Sequence, residues 1–348
     1  MVTTFTVAKV GDLTPELVSQ IVGAEVATVT AKPLATGNMN ASSRLHLTYA
    51  DGATGPASLV AKMPVDDEVA RMVSAITDRT EIGFYTEVAS RVNVPTARCF
   101  NGGISEEHGA LIVLEDIAPA VTVDQIDGCS AEQARLAITN IAGLHAPTWN
   151  DPEFRDLEFR APIGPHMADG MHAAMAAVGP TFIERYSTPD DEAEVIRAFA
   201  AVTKDWYFAR AEPYALRHND YRLDNMLFPA PGSDRGVVTV DWGTISSGLA
   251  IGDVSYFIAT GLETDLRREH ERLLVEAYCD ALAGFGVTYS VDAAWGDYVY
   301  GLFHAVLITV MGAANSQQSE RGDRMFRTMM RRSCAAIRDT GALSLLPS

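Results

Sequence analysis

The chain of 348 residues carries 27 Lys+Arg against 45 Asp+Glu, a formal charge of −18, and 47% of it is hydrophobic. That is globular material with apolar mass for two cores, at roughly 100–200 residues per domain. The acidity works against polyanionic partners: a nucleic acid or an anionic membrane would need a local basic patch, and neither is expected. The best candidate patch is Arg321, Arg324, Arg327, Arg331, Arg332 and Arg338, spaced among Met325, Phe326, Met329 and Met330. It reads as the solvated face of an amphipathic helix. The N-terminus shows no charged segment leading into an apolar run, as an export signal would. The apolar stretch Leu302 to Asn315 is shorter than the ~20 residues that span a bilayer and includes His304. Cys99, Cys129, Cys279 and Cys334 form no CxxC pair. Reduced thiols in a cytoplasmic protein without structural zinc are the reading that follows.

In chain order, Thr14-Pro15 opens a short helix, threonine as N-cap and proline at its first position. Leu45, Leu47 and Tyr49 alternate along a strand that ends at Asp51-Gly52, and Ser58 to Met63 is the returning strand. Ahead of them, Thr36 to Ser43 reads as a loop of small residues with one glycine. Helices are expected over 67–76 and 79–92, ended by Pro95, then strands over 96–100 and 110–114 separated by Asn101-Gly102-Gly103. The chain changes character after Glu115-Asp116-Ile117-Ala118-Pro119. Ser130-Ala-Glu-Gln133 is a capping box that opens a helix to about His145. Further helices are expected near 190–210, 265–285, 292–314 and 318–338. Residues 214–242 interrupt them with loops and short β-like runs at 225–228 and 237–240. The expected fold is α+β in two parts: an antiparallel β-rich part over 1–116 and a larger helical part over 117–348.

The strongest chemical signal is His218-x-Asp220-x-x-x-x-Asn225 running into an apolar strand, followed by Val237-Val-Thr-Val-Asp-Trp-Gly243. Phosphoryl transfer needs such residues. Mg²⁺ prefers hard oxygen ligands such as an Asp carboxylate and an Asn carbonyl. A second carboxylate, kept off the metal, must orient the attacking hydroxyl and accept its proton. Asp220 suits that role; Asn225 and Asp241 suit the metal. Taken singly, Asp220 reads equally as a loop-capping carboxylate and Asp241 as a strand-end turn residue; their order and upstream partners decide.

Lys62 lies mid-strand among apolar residues, where an unpaired ammonium is costly, so it needs a carboxylate or a phosphate. Glu81 and Glu87 compete as its partner, with Glu81 preferred. There is no G-x-x-x-x-G-K-[ST], which excludes a P-loop, and no strand-linked G-x-G-x-x-G. Gly37 and Ser42, in the small-residue loop, are the candidates for covering phosphates with backbone N–H groups. His145 reads as a polar cap at a helix end, and His218 as a residue that orders its loop.

Lys62, Glu81, Glu115-Asp116, His218-x-Asp220-x-x-x-x-Asn225 and Asp241-Trp-Gly243 together resemble the protein-kinase-like phosphotransferases that act on small molecules. That superfamily includes aminoglycoside phosphotransferases, choline kinases and the CHK (ecdysteroid-kinase-like) group. Glu81-x-x-Phe-Tyr85, Val113-Leu-Glu-Asp-Ile117, Leu144-His-Ala-Pro-Thr-Trp149 and Asp220-Tyr-Arg-Leu-Asp-Asn225 resemble the CHK-like blocks most. The resemblance covers about residues 33–310. It implies a protein-kinase-like fold, with adenine bonded to backbone around Glu115, Asp116 and Ile117 and with Lys62 on the α/β-phosphates. It also implies that Asp253 braces the catalytic loop. Asn219 stands where aminoglycoside phosphotransferases usually have glycine and many protein kinases arginine, and no Ala-Pro-Glu follows Asp241-Trp-Gly243; a protein kinase is disfavoured.

The expected activity is therefore transfer of the ATP γ-phosphate, with Mg²⁺, to a hydroxyl of a small molecule. Met167, Met171, Met175, Phe182, Phe257, Tyr298 and Phe303 point to a neutral or lipophilic alcohol. The charge of −18 points instead to a cation such as an aminoglycoside or a choline-like molecule. A nucleotide-binding pseudokinase that serves as a partner-binding module is the alternative of another class, though neither base nor metal ligand is lost. The sequence sets no oligomeric state.

Overall fold

The computed structural model describes residues 4–34, 40–65, 68–155, 157–159, 164–210 and 212–347. The chain divides into two units. Unit 1 is Met1–Arg91, Thr96–Pro119 and Val240–Thr244; unit 2 is Val92–Pro95, Ala120–Thr239 and Ile245–Ser348.

Unit 1 is built on an antiparallel sheet of β1 (Val26–Pro33), β2 (Asn40–Tyr49), β3 (Ser58–Pro64), β4 (Cys99–Ser105) and β5 (Gly109–Glu115), in the order β1-β2-β3-β5-β4. Side chains alternate across a strand, so each strand offers two faces. Leu59, Ala61 and Met63 of β3 enter a core with Leu45, Leu47, Leu111 and Val113, joined by Val18 of α1 (Pro15–Val22). Thr14 caps α1 by accepting from the Leu17 N–H. Ile112 and Leu114 face the other way, against Ile82 of α2 (Glu68–Gly83).

Three local expectations are corrected. The two helices expected over 67–92 are one helix, α2, followed by a wider turn over Phe84–Val88. Thr77 and Thr80, at the expected break, donate back to the Ser74 and Ile76 carbonyls and stay within the helix. Asn101-Gly102-Gly103 lies inside β4, and the turn falls at Glu106–His108. Asn101 accepts from the Phe5 N–H and donates to the Phe5 and Leu111 carbonyls. A Cβ on Gly103 would overlap the Phe5 carbonyl, so glycine lets the N-terminal segment lie against the strand. Ser42 belongs to β2, opposite Lys62, rather than to a loop; Gly37 lies outside the described residues.

Unit 2 holds α3 (Ala131–His145), α4 (Pro165–Arg185), α5 (Asp190–Ala209), α6 (Gly252–Gly261), α7 (Thr264–Gly284), α8 (Val291–Gly301), α9 (Phe303–Asn315) and α10 (Glu320–Thr340). Every residue of α6 is buried, which makes it the centre of the unit. Short strands β6 (Ala120–Val121), β8 (Met226–Pro229) and β9 (Val238–Thr239) form one small sheet; β7 (Tyr214–Arg217) and β10 (Ser246–Leu249) form another. The Ser130–Gln133 capping box is present as read. α4 has no counterpart among the expected helices, and it runs on through Gly179-Pro180, where a proline ordinarily breaks a helix.

The helix expected over 292–314 is divided at Leu302 into α8 and α9. Taken together, Val291–Asn315 is 25 residues, long and apolar enough to cross a membrane by length and composition; an 18-residue stretch within it has mean hydropathy 1.3 and is 72% buried within the protein. The arginine-rich α10 is amphipathic, but Arg332 is on its buried side. It donates to the Gln125, Thr260 and Ile126 carbonyls and pairs with Glu263. Hydrogen-bond acceptors waiting in the core, rather than helical spacing, set its place.

Gly103→Ala is expected to cost about 1–3 kcal/mol of stability, as overpacking against backbone does, read by urea unfolding. An unchanged midpoint would mean that residues around Phe5 do not hold to β4.

Candidate active site

In unit 1 the alternation of β3 leaves Lys62 on the face opposite the core. Its Nζ lies 2.5 Å from Glu81 Oε2 and 2.8 Å from Asp241 Oδ1. Glu81, on α2, is the partner, and Glu87 is not. Burial opposes the charge on Lys62, but the Glu81 and Asp241 carboxylates outweigh it and raise its pKa, so Lys62 is an ammonium. Asp241 holds a left-handed backbone at φ 65°. The next residue, Trp242, is fully buried and stacks on Phe84 at 3.8 Å between ring centroids. Gly243 follows against Thr77, where a Cβ would crowd Thr77 Cβ and its carbonyl. The Asp-Trp-Gly segment is thus fixed by a close approach to α2 and a ring stack on the turn that follows it, and it sets Asp241 on Lys62.

Glu115 ends β5 opposite Leu59 and accepts from the Arg98 N–H. Asp116 takes a two-pronged bond from Arg44 (2.7 and 3.0 Å) and another from Ser58 Oγ (2.6 Å). Its side chain is committed to the sheet, so any nucleotide contact here is through backbone. Ile117 packs beside Ile112 and Leu114.

In unit 2, β7 delivers the chain to His218, Asn219 and Asp220. The His218 and Asn219 N–H groups donate to Asp253 Oδ2 (2.7 Å) and Oδ1 (2.9 Å), at the start of α6. Asn219 is left-handed at φ 66°, a conformation asparagine tolerates, and its carbonyl is bonded by His304 Nε2 at 3.0 Å. His145 is buried rather than a helix-end cap: Nε2 lies 3.2 Å from Asp253 Oδ2 and Nδ1 2.7 Å from the Tyr278 hydroxyl. Burial alone would raise the Asp253 carboxyl; the His145 hydrogen bond and the charges of His145, Arg217 and His218 more than offset it and hold it at about 2.

Asp220 accepts from the Tyr256 hydroxyl at 2.9 Å, from Arg222 Nε at 3.1 Å and from Asn225 Nδ2 at 3.0 Å. The Asn225 amide nitrogen also reaches the Asp220 carbonyl, which turns its amide oxygen toward other partners. Arg222 continues to Asp224, and Asp224 is joined by Arg321, which also bonds Asp124. Gln125 accepts from the Leu223 N–H and donates to the Thr260 carbonyl, fixing the turn that ends in Asn225.

A family model for ecdysteroid kinase-like proteins matches residues 39–285. The chain belongs to the ecdysteroid kinase-like family. It is thus a member of the kinase-like small-molecule phosphotransferases. No curated protein sequence matches it. Among solved structures it is similar to choline kinase from Cryptosporidium parvum, at 11% identity and TM-score 0.57 over 91% of this chain and 92% of that one. It is also similar to the GDP complex of aminoglycoside 2′-phosphotransferase-IIIa (11%, 0.58, 88% and 93%). A third similar structure is amicoumacin kinase hAmiN in complex with AMP-PNP, Ca²⁺ and Ami (12%, 0.54, 87% and 87%). These likenesses show the protein-kinase-like fold.

In this ecdysteroid kinase-like protein the structure gathers Lys62, Glu81 and Asp241 in unit 1, and Asp220 and Asn225 in unit 2. Ser42 is opposite Lys62 in register, and Glu115 and Asp116, which follow on β5, bond the Arg98 N–H and the Arg44 and Ser58 side chains. Sequence reasoning missed Tyr256 and Arg222. The signal for Tyr256 was its place one helical turn after Asp253; for Arg222 it was a cation two residues from the carboxylate it bonds.

Asp253→Ala strands two loop N–H groups and is expected to cost about 3–5 kcal/mol, read by urea unfolding. A loss below about 1 kcal/mol would show that the loop holds without it. Burial, with Arg217 second, pushes His304 from 6.5 to about 3. The unfolded chain takes up a proton there that the folded chain refuses, so stability is complete above 6.5 and falls as pH drops toward 3. His304→Gln is expected to flatten that slope; an equal slope in both proteins would place the titration elsewhere.

Proposed function

We propose that this protein transfers the γ-phosphate of ATP to a hydroxyl of a neutral or lipophilic small molecule, with Mg²⁺ as the metal. The observation that carries the reading is Asp220: a carboxylate fixed by three donors, in a loop pinned to a buried aspartate. In the reaction, the acceptor oxygen bonds to the γ-phosphorus, the bridging P–O bond breaks, and ADP leaves with its electron pair. The hydroxyl proton passes to Asp220. Held by its three donors, Asp220 acts chiefly by orienting the hydroxyl and takes the proton late, as a loose transition state allows.

Among the described residues no group of three or more His, Cys, Asp or Glu could hold a metal. The donors present are an amide oxygen, on Asn225, and a carboxylate, on Asp241. Each is a hard oxygen of the kind Mg²⁺ takes, an ion that binds through one or two protein oxygens and completes its shell with phosphates and water. When bound, the ion would neutralise charge on the transferring phosphoryl group. Lys62, already a paired ammonium, supplies the cation for the α/β-phosphates. Backbone near Ile117 serves adenine.

A neutral acceptor is favoured by the charges beside Asp220. Asp220, Asp224 and Asp124 are each already paired with Arg222 or Arg321, which leaves little unbalanced negative charge for a cation. The apolar residues named above support this less, since Met175, Phe182, Phe257, Tyr298 and Phe303 are core, and only Met167 and Met171 are partly exposed.

ADP release measured across sterols, neutral alcohols, sugars, macrolides, aminoglycosides and choline should single out a neutral hydroxyl compound. Asp220→Asn should lower turnover on it by about 10²-fold or more while nucleotide affinity stays within about twofold. Full turnover by the variant would remove Asp220 from the chemistry. Turnover on aminoglycosides alone would overturn the neutral acceptor.

A further inference from the structure

Unit 2 contains a cavity of about 210 Å³ that includes neither Asp220 nor Asn225 in its walls. It exceeds the roughly 150 Å³ that accommodates benzene in an engineered protein core. Trp206, Tyr207, Tyr214 and Tyr300 supply ring walls, and Trp206 stacks on Tyr300. Arg217 and His304 also line it.

Arg217 is the unusual group. Only 4% of it is exposed, its Nε has no hydrogen-bond partner, and it makes no ion pair among the described residues. Asp253, the carboxylate whose charge it feels most, has both oxygens engaged by His218, Asn219 and His145. Asp253 acts on it only at a distance, and a buried guanidinium with no carboxylate in contact is costly and ordinarily pairs. The fold nevertheless makes room for it. A Cβ on Gly248 or Gly252 would run into its guanidinium, so both positions are glycine-sized around this charge. The other arginines at the cavity are accounted for: Arg210 pairs with Asp297 at 2.6 Å, and the exposed Arg155 lies over the Tyr214 ring at 4.3 Å. His304 presents a second orphan. Its Nε2 is spent on the Asn219 carbonyl, and its Nδ1 is buried with no partner.

We propose that this cavity is a binding site for a small ring-bearing carboxylate, its anionic end on Arg217 and its ring between the aromatic walls. A carboxylate matches a planar guanidinium in shape and supplies the missing single charge. A ring fits walls that are mostly aromatic. The site lies behind the catalytic loop in a defined sense: Arg217 directly precedes His218, and His304 holds the Asn219 carbonyl. An occupant therefore touches two residues that support the loop without touching Asp220. The proposal does not depend on phosphotransfer, and its test reads binding alone.

The full chain is titrated at neutral pH with sodium benzoate and, separately, with benzamide, following tryptophan fluorescence; Trp206→Phe assigns the signal to the cavity. Benzoate is expected to give a saturable single-site change at about millimolar concentration or below, absent in Trp206→Phe. Benzamide, which has the same shape without the charge, should bind about tenfold or more weakly, and so should benzoate to Arg217→Met, because a charge-assisted bond is lost. If Arg217→Met does not fold, the acid–amide contrast on the unaltered chain decides. Equal binding of the two probes, benzoate binding undiminished in folded Arg217→Met, or no saturable change from benzoate each overturns the proposal.

Discussion

The carboxylate of Asp253 is the point on which unit 2 depends. It is fully buried at the start of the fully buried α6, where an ionised group survives only if its lone pairs are met. Two backbone N–H groups of the His218–Asp220 loop and the His145 ring meet them, and the His145 bond with the nearby charges of His145, Arg217 and His218 keeps the carboxyl low despite burial. The requirement runs both ways. The carboxylate needs the loop's donors to remain charged in the core, and the loop needs the carboxylate to hold Asn219 in its left-handed turn. The shape of the His218–Asp220 segment is therefore a condition of folding as much as a provision for chemistry, and α3, α6, α7 and α9 all meet there through His145, Asp253, Tyr278 and His304.

Unit 1 applies the same logic to a cation. Lys62 is placed away from the core by strand alternation, then surrounded by two carboxylates that keep it charged despite burial. Asp241 reaches it from a segment remote in sequence, anchored by the Trp242–Phe84 stack. In both units the charged groups are fixed by protein partners before any ligand is considered. Such preorganisation spares the reorganisation that water or a flexible chain would require. It also means that a metal at Asp241 must compete with Lys62 for the same carboxylate, and that phosphate arriving at Lys62 would relieve that competition by supplying a replacement anion.

What could be read in the sequence was whatever depends on near neighbours. The β2 and β3 alternation, the Ser130–Gln133 capping box and the Thr14 cap are local patterns, and each formed as read. The His218–Asn225 spacing carried over for a similar reason, since Asn225 bonds Asp220 within one short loop. The misreadings share the opposite cause. Asn101-Gly102-Gly103 has the composition of a turn, but its conformation answers to Phe5. Arg332 reads as part of a solvated helix face and His145 as a helix-end cap, but core carbonyls and a buried carboxylate draw them inward. Gly179-Pro180 does not stop α4, because the loss of one backbone bond is smaller than what packing of the helix gains.

The net charge of −18 looks, from composition, like a bias toward cationic acceptors. At Asp220 the local arrangement runs against that bias. Arg222 lies on the carboxylate itself, its charge reinforced by Asp220 and Asp224 against burial. A cationic acceptor approaching Asp220 would meet a guanidinium at hydrogen-bond distance from the oxygen it sought. To gain that oxygen it would have to displace Arg222 and leave a half-buried guanidinium in an ion pair with Asp224 alone. A neutral hydroxyl needs only one acceptor lone pair and can share the oxygen with Arg222. The surface charge acts at long range and is screened over about 8–10 Å of salt solution, whereas the Arg222–Asp220 bond acts at 3.1 Å, so the proposed preference for a neutral acceptor rests on the near interaction rather than on the net charge.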